Sequence, residues 1–241
     1  MSDDFPVGSL LAGLGPEERG ELLTLGTGRQ YGAGSVLMRQ EETAHDVYIV
    51  LDGYVKVTAI TAEEQLALLA VRSRGDLVGE IGVIDGSPRT ATATAAGAVV
   101  CRCIGGEAFR AFLARHPAVY DAVTRSVTAK FRSAIRRRLE YVDGSVRARL
   151  ARVLLEFVTH WGIPAPEGIM IAVGLNQAEI AALVGATERS VNETFAEFRT
   201  EGTISVGYRR IVIRDVEALH KAALGCPDGA GRRERAAGQG Q

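Results

Sequence analysis

From Tyr31 to Ile104 the chain is written in short runs of Val, Ile, Thr and Leu, each closed by a glycine- or aspartate-bearing turn. That rhythm leaves few architectures open. The runs are Ser35–Arg39, Asp46–Leu51, Tyr54–Ile60, Gln65–Val71, Ala91–Ala95 and Ala98–Ile104, and the turns fall at Asp52-Gly53, Arg74-Gly75-Asp76 and Asp85-Gly86. Short strands at close, regular spacing make an antiparallel sandwich or roll rather than a parallel sheet, which needs a helix between successive strands. Upstream, Pro16-Glu17-Glu18 suits a helix start, with proline in the first turn.

The rhythm then stops. After a short helical run at Glu107–Ala114, closed by Arg115-His116-Pro117, no glycine or proline follows until Gly144. Val123, Val127, Phe131, Ile135, Leu139, Val142 and Val146 recur at three and four positions, one narrow apolar seam on a long helix. The seam is too narrow for burial in a globule and suits a partner helix, so a parallel homodimer through 118–143 is expected. Arg136-Arg137-Arg138 read as a solvated face beside it. Val142-Asp143-Gly144-Ser145 reads as a hinge, with Ser145 capping a helix over Val146–His160. The fold class is α+β, and the domains are 1–117, 118–143, 144–224 and a tail, 225–241, rich in Gly, Ala and Arg and expected to be disordered.

Residues Gly79 to Thr94, GEIGVIDGSPRTATAT, carry the chemistry of the first domain. A short helical insert between two strands presents first-turn amides to an anion. Arg89 adds a forked, permanent cation and Thr90 a hydroxyl donor. Glu80 repels an anion unless it accepts hydrogen bonds from hydroxyls of the same ligand. Phosphate on one side and sugar hydroxyl on the other describe a nucleotide.

In the last third, Asn176-Gln177-Ala178-Glu179 has the form of a capping box. Ala181 is followed four positions later by Gly185 and six further on by Val191, the spacing of a helix-turn-helix. Thr187 caps the second helix, Val191, Phe195 and Phe198 face inward, and Glu188, Arg189, Asn192, Glu193 and Glu197 face out with Thr187. Arg189 suits guanine, Asn192 adenine and Glu193 cytosine, while Gln177, Thr187 and Ser190 can reach phosphate. A hairpin across Gly207-Tyr208-Arg209 forms a wing.

Composition is ordinary and globular, with 46% hydrophobic and 24% charged residues. A net charge of −1 is low for a DNA binder, although a basic face counts for more than the sum. The acidic start MSDDF lacks the basic flank of a secretory signal, and no run is long enough to span a bilayer. A cytoplasmic location and no membrane partner are expected. Cys101 and Cys103 share one strand face and Cys226 lies in the tail, which supports neither a disulfide framework nor a metal site. His45, His116, His160 and His220 are scattered, and no catalytic grouping or Walker loop stands out, so an enzyme is not expected.

The 79–94 segment resembles the phosphate-binding cassette of cyclic-nucleotide-binding domains, as found in the CRP/FNR family of bacterial transcription factors, and the winged module is similar to that family's C-terminal domain. The resemblance covers Tyr31 to about Leu219. It implies a β-roll (double-stranded β-helix) sensor, a dimerising long helix and a winged helix-turn-helix, with DNA, a second copy and RNA polymerase as partners. It implies that Glu80 takes a ribose hydroxyl, that Arg89 and Thr90 take the cyclic phosphate, and that Gly79, Ile81 and Ala91 complete the site. In cyclic-AMP-responsive members adjacent Thr and Ser on the long helix hold the adenine; here Ala134 and Ile135 stand there and cannot hydrogen-bond a base. Ser133, Arg132 or Arg136 could substitute. Cyclic AMP or a related nucleotide therefore comes first as effector, followed by a different effector and by activity without one. Further departures are Glu41 where relatives often have Gly, Thr194 in place of an apolar residue, and Arg189 then Glu193 where an acidic residue usually precedes an arginine. These leave a second reading, an effector-binding dimer with weak or lost specific DNA binding.

Overall fold

The computed structural model describes residues 5–43, 45–60, 66–171, 173–207 and 210–225, with the side chains of 140–143 left aside. Gln65, the wing-tip Tyr208-Arg209, the tail from 226 with Cys226, and the side chains of Val142 and Asp143 therefore lie outside the described residues. The chain opens with α1 (Pro16–Thr24) and continues through β1 (Thr27–Tyr31), β2 (Val36–Met38), β3 (Val47–Asp52), β4 (Val55–Ile60), β5 (Leu66–Arg72) and β6 (Leu77–Val78). A short helix, α2 (Glu80–Asp85), precedes β7 (Thr92–Ala95) and β8 (Val99–Ile104). Then come α3 (Gly106–Arg115), α4 (Pro117–Asp143) and α5 (Val146–Trp161). The remainder is β9 (Gly162–Ala165), β10 (Gly168–Ile171), α6 (Gln177–Val184), α7 (Glu188–Thr200), β11 (Ile204–Gly207), β12 (Arg210–Ile213) and α8 (Val216–Ala223).

The first eight strands form two antiparallel sheets, ordered β1-β8-β3-β6 and β2-β7-β4-β5. Their inner faces enclose Leu37, Tyr48, Val50, Val55, Ala93 and Cys101, so the alternation along each strand closes a roll. Burial pushes the Cys101 thiol up to about 12, which leaves it protonated and inert, a small hydrophobe. Strand β1, with its exposed Thr-Gly-Arg-Gln run, carries no alternating signal and is an edge strand that sequence periodicity misses. So is β9, whose Pro164 suits a sheet edge: the wing pairs onward as β11-β12-β10-β9.

The seam of α4 is not uniform, and here the sequence expectation is corrected. Its first turns are not free: Val119, Ala122 and Val123 are buried against Phe109, Phe112 and Leu22 of the same chain. Only beyond Val127 does the seam emerge, with Phe131, Ile135 and Leu139 exposed at 65%, 45% and 63%. Narrowness of the stripe did not exclude burial, because α3 folds back and covers it. Ser145 caps α5, its hydroxyl accepting from the Ala148 amide at 3.2 Å.

The strand roll and the C-terminal helices share one apolar core. Leu68 and Val71 of β5 pack with Leu154, Ile180, Leu183, Val191, Phe195 and Phe198. Tyr54 meets Trp161 edge-on, their ring centres 6.1 Å apart.

Candidate functional site: an effector cavity and a nucleic-acid-reading helix

A cavity of about 490 Å³ opens between α2, the Val57–Ala70 face of the β4–β5 hairpin and α4. Gly79, Glu80, Ile81, Arg89, Thr90 and Ala91 all border it. Gly79 precedes α2 with a φ of 88°, and a Cβ there would stand 2.9 Å from Arg89 Nη1 and 3.0 Å from the Asp46 carbonyl. Glycine is thus required by both backbone and space. Arg89 is almost fully buried, at 2% exposure. Its Nη1 donates to the Gly79 carbonyl at 2.5 Å and its Nη2 to the Asp46 carbonyl, while Nε is buried without a partner. The backbone of Arg89 is fixed too: its amide donates to the Glu42 carbonyl and its carbonyl accepts from the Glu41 amide, each at 2.9 Å. Glu41, at the position where relatives often carry glycine, is the non-glycine residue with positive φ among the described residues, at 65°.

Glu80, 3% exposed, faces the same cavity and is met there by a residue that the sequence reading did not select. Lys130 of α4 donates from Nζ to Glu80 Oε1 and to the Leu77 carbonyl, both at 2.7 Å. Burial pushes the Lys130 ammonium below its ordinary value, while the Glu80 carboxylate pulls it back. Arg72 also lines the wall. Asp76 is close enough to Lys130 to feel its charge, and burial raises the Asp76 carboxyl. Lys130 was hidden in the sequence because it sits amid polar residues of a long helix; its one signal is position, a turn before Ala134. Ala134 borders the cavity with Val127 and Phe131, whereas Ile135 does not and faces outward.

The helix pair forms as its spacing requires. Asn176 and Glu179 exchange capping-box hydrogen bonds at 2.8 and 2.9 Å. Gly185 takes the left-handed turn at φ 66°, and the Thr187 hydroxyl accepts from the Ser190 amide at 3.2 Å. Gln177, Thr187, Glu188, Arg189 and Glu193 are exposed, whereas Ser190 and Asn192 are half-buried. The Asn192 expectation is adjusted accordingly: its Oδ1 is buried and has no partner. Arg189 Nε meets Glu193 Oε1 at 2.9 Å across one helical turn. Glu197 turns from the reading face to Arg147, at 3.2 Å. Thr194 fits its buried position because its hydroxyl donates to the Ser190 carbonyl at 2.9 Å.

Two protein families match this chain: the cyclic nucleotide-binding domain over residues 28–116 and the Crp-like helix-turn-helix domain over 148–222. The chain belongs to the CRP/FNR family. Among similar proteins is a CRP-like cAMP-activated global transcriptional regulator of Mycobacterium tuberculosis, 27% identical over 190 residues that cover 79% of this chain and 85% of the relative. Transcriptional regulator LdrP of Thermus thermophilus is 29% identical over 189 residues, covering 78% and 92%. Among solved structures, FixK2 of Bradyrhizobium japonicum superposes with a TM-score of 0.73 at 21% identity, over 82% of this chain and 97% of the other. As a CRP/FNR protein the chain is a DNA-binding transcriptional regulator carrying a cyclic-nucleotide-binding domain, and its relatives are regulators rather than enzymes. Among its described residues no helix is long and apolar enough to cross a membrane, and no three metal-binding side chains come together.

Proposed function

We propose that this regulator binds operator DNA as a homodimer under the control of a cyclic nucleotide held in the α2–α4 cavity. In this reading residues 1–117 sense, 118–143 dimerise and 144–224 read DNA. One observation carries it: a buried guanidinium with an unused Nε borders the same cavity as a buried carboxylate. A cavity of about 490 Å³ is of ligand size. Arg89 and Thr90 take the cyclic phosphate, with Gly79, Ile81 and Ala91 closing around it. Glu80 accepts the ribose hydroxyl on Oε2 while Lys130 holds Oε1. Cyclic AMP is the first candidate because the mycobacterial relative is named as cAMP-activated and a Thermus thermophilus relative as a cyclic AMP receptor protein. Ala134 offers the base no hydrogen bond, so discrimination falls to shape and to Lys130 or Arg72.

Exposed Phe131, Ile135 and Leu139 support pairing with a second α4. Two recognition helices so joined address half-sites about 34 Å apart, one turn of duplex. Gln177, Thr187 and Ser190 position on phosphate, while Arg189, Glu188 and Glu193 meet base edges and Asn192, its Oδ1 buried, has only its amide Nδ2 left to offer there. RNA polymerase is then the partner that turns occupancy into transcription.

Calorimetric titration of cyclic AMP and cyclic GMP against wild type and Arg89→Ala tests the sensor. Loss of a buried charge partner costs about 2–5 kcal/mol, so affinity drops roughly 30-fold or more. Equal binding by both proteins ends the nucleotide reading. A second reading, an effector-binding dimer with weak specific DNA binding, is favoured by the Arg189–Glu193 pair, which occupies the guanidinium best placed to read a base. A mobility shift on its promoter region across salt separates the two, since phosphate contacts impose a steep salt slope.

A further inference from the structure

The β4–β5 hairpin has two working faces. Val57 pairs with Ala70, and both line the effector cavity. Lys56 pairs with Val71, and Thr58 with Leu68, on the opposite face. There Leu68 and Val71 enter the apolar core of the reader. A bulge lies between the Val57 and Thr58 pairings, leaving Leu69 unpaired, and its carbonyl accepts from Arg137 of α4. Arg137 also reaches Glu156 of α5, at 3.1 Å. A single sheet layer therefore separates the cavity from the helix-turn-helix.

The polar join across that layer is Lys56 with Glu179. Glu179 divides its oxygens: Oε2 accepts the Asn176 amide and closes the capping box, and Oε1 accepts Lys56 Nζ. Both side chains are largely buried, 18% and 11% exposed, so the geometry is fixed rather than a passing surface contact. Helix α6, which carries Glu179, is the helix on which recognition helix α7 packs, through Ile180, Leu183 and Val184 against Val191 and Phe195.

We propose that Lys56 and Glu179 are positioning residues for DNA reading: their pair ties α6 to the back of the sheet whose front lines the effector cavity, and so carries effector occupancy to the recognition helix within one protomer. This rests on the reading of that cavity as the effector site. Displacement of Val57 or Ala70 by a ligand moves Lys56 and Val71 on the other face, and α6 follows. Neither residue touches DNA.

The test uses full-length Lys56→Met, Glu179→Gln and Lys56→Arg. Glutamine at 179 keeps the capping bond to Asn176, so Glu179→Gln removes the charge and leaves the helix start intact. Three quantities are read: cyclic AMP affinity by calorimetry, DNA affinity by fluorescence anisotropy with and without saturating cyclic AMP, and hydrogen exchange of the α6 amides. Effector coupling of this kind changes affinity by a factor on the order of 5–150. In Lys56→Met and Glu179→Gln that factor falls to within about twofold of unity, cyclic AMP affinity stays at the wild-type value, and the α6 amides exchange faster. Lys56→Arg restores the wild-type behaviour. A wild-type coupling factor in both charge-removing variants overturns the proposal, and so does unchanged α6 exchange. If the wild-type protein itself ignores cyclic nucleotides, the effector reading fails and the coupling role fails with it. Faster α6 exchange in the variants then still separates a latch without an effector from no latch at all.

Discussion

The effector cavity and the recognition helix hold similar charged groups under opposite conditions. Arg89 and Glu80 are buried, fixed by carbonyls and by Lys130, before any ligand arrives. Arg189 and Glu193 stand in solvent and satisfy one another. In the cavity, burial makes every unmet donor costly, so the fold itself prepares the shape of the ligand. On the helix, water screens each charge, and DNA must separate an existing pair before it can use either member.

The largest effect expected from this contrast comes from Lys130→Met. It leaves the Glu80 carboxylate buried without its cation, a loss of about 3–5 kcal/mol for such pairs and at the lower end here because Lys130 keeps 20% exposure. Chemical denaturation measures it, and adding Glu80→Gln recovers most of the loss; a near-neutral single variant breaks the contrast. Next is Gly79→Ala. A left-handed backbone costs about 1–2 kcal/mol for a residue with Cβ, and the new methyl meets Arg89 Nη1 at 2.9 Å. Cyclic AMP affinity falls about tenfold with the displaced guanidinium, read by calorimetry.

On the exposed side, Glu193→Ala frees Arg189. DNA affinity rises several-fold while preference at the base that Glu193 reads is lost, both measured by fluorescence anisotropy on operator variants. Unchanged affinity shows that Arg189 never reaches the duplex. The smallest effect tests the turn that holds the Arg89 backbone: Glu41→Gly relieves the positive φ of 65°. The gain is about 1 kcal/mol, a rise in Tm of roughly 2–4 °C for a chain of this size.

Much of this was legible along the chain. Alternation with glycine turns announced the roll, and Asn176, Gly185 and Thr187 marked the helix-turn-helix, because caps, turns and strand periods are local and repeat wherever the same short-range forces act. The cassette residues from Gly79 to Ala91 were likewise readable, since their kinds and spacing sit in one stretch. Edge strands β1 and β9 were not, for a strand with solvent on most sides needs no apolar pattern.

What depended on the third dimension is of another kind. The burial of Val123, the reach of Lys130 to Glu80 and of Lys56 to Glu179, and the second face of β5 join residues separated by tens of positions or more. Sequence spells out which groups are present and how each segment folds locally. Which distant groups share a low-dielectric space is decided when helices and sheet close on one core, because charge pairing and packing depend on distance through space and not along the chain.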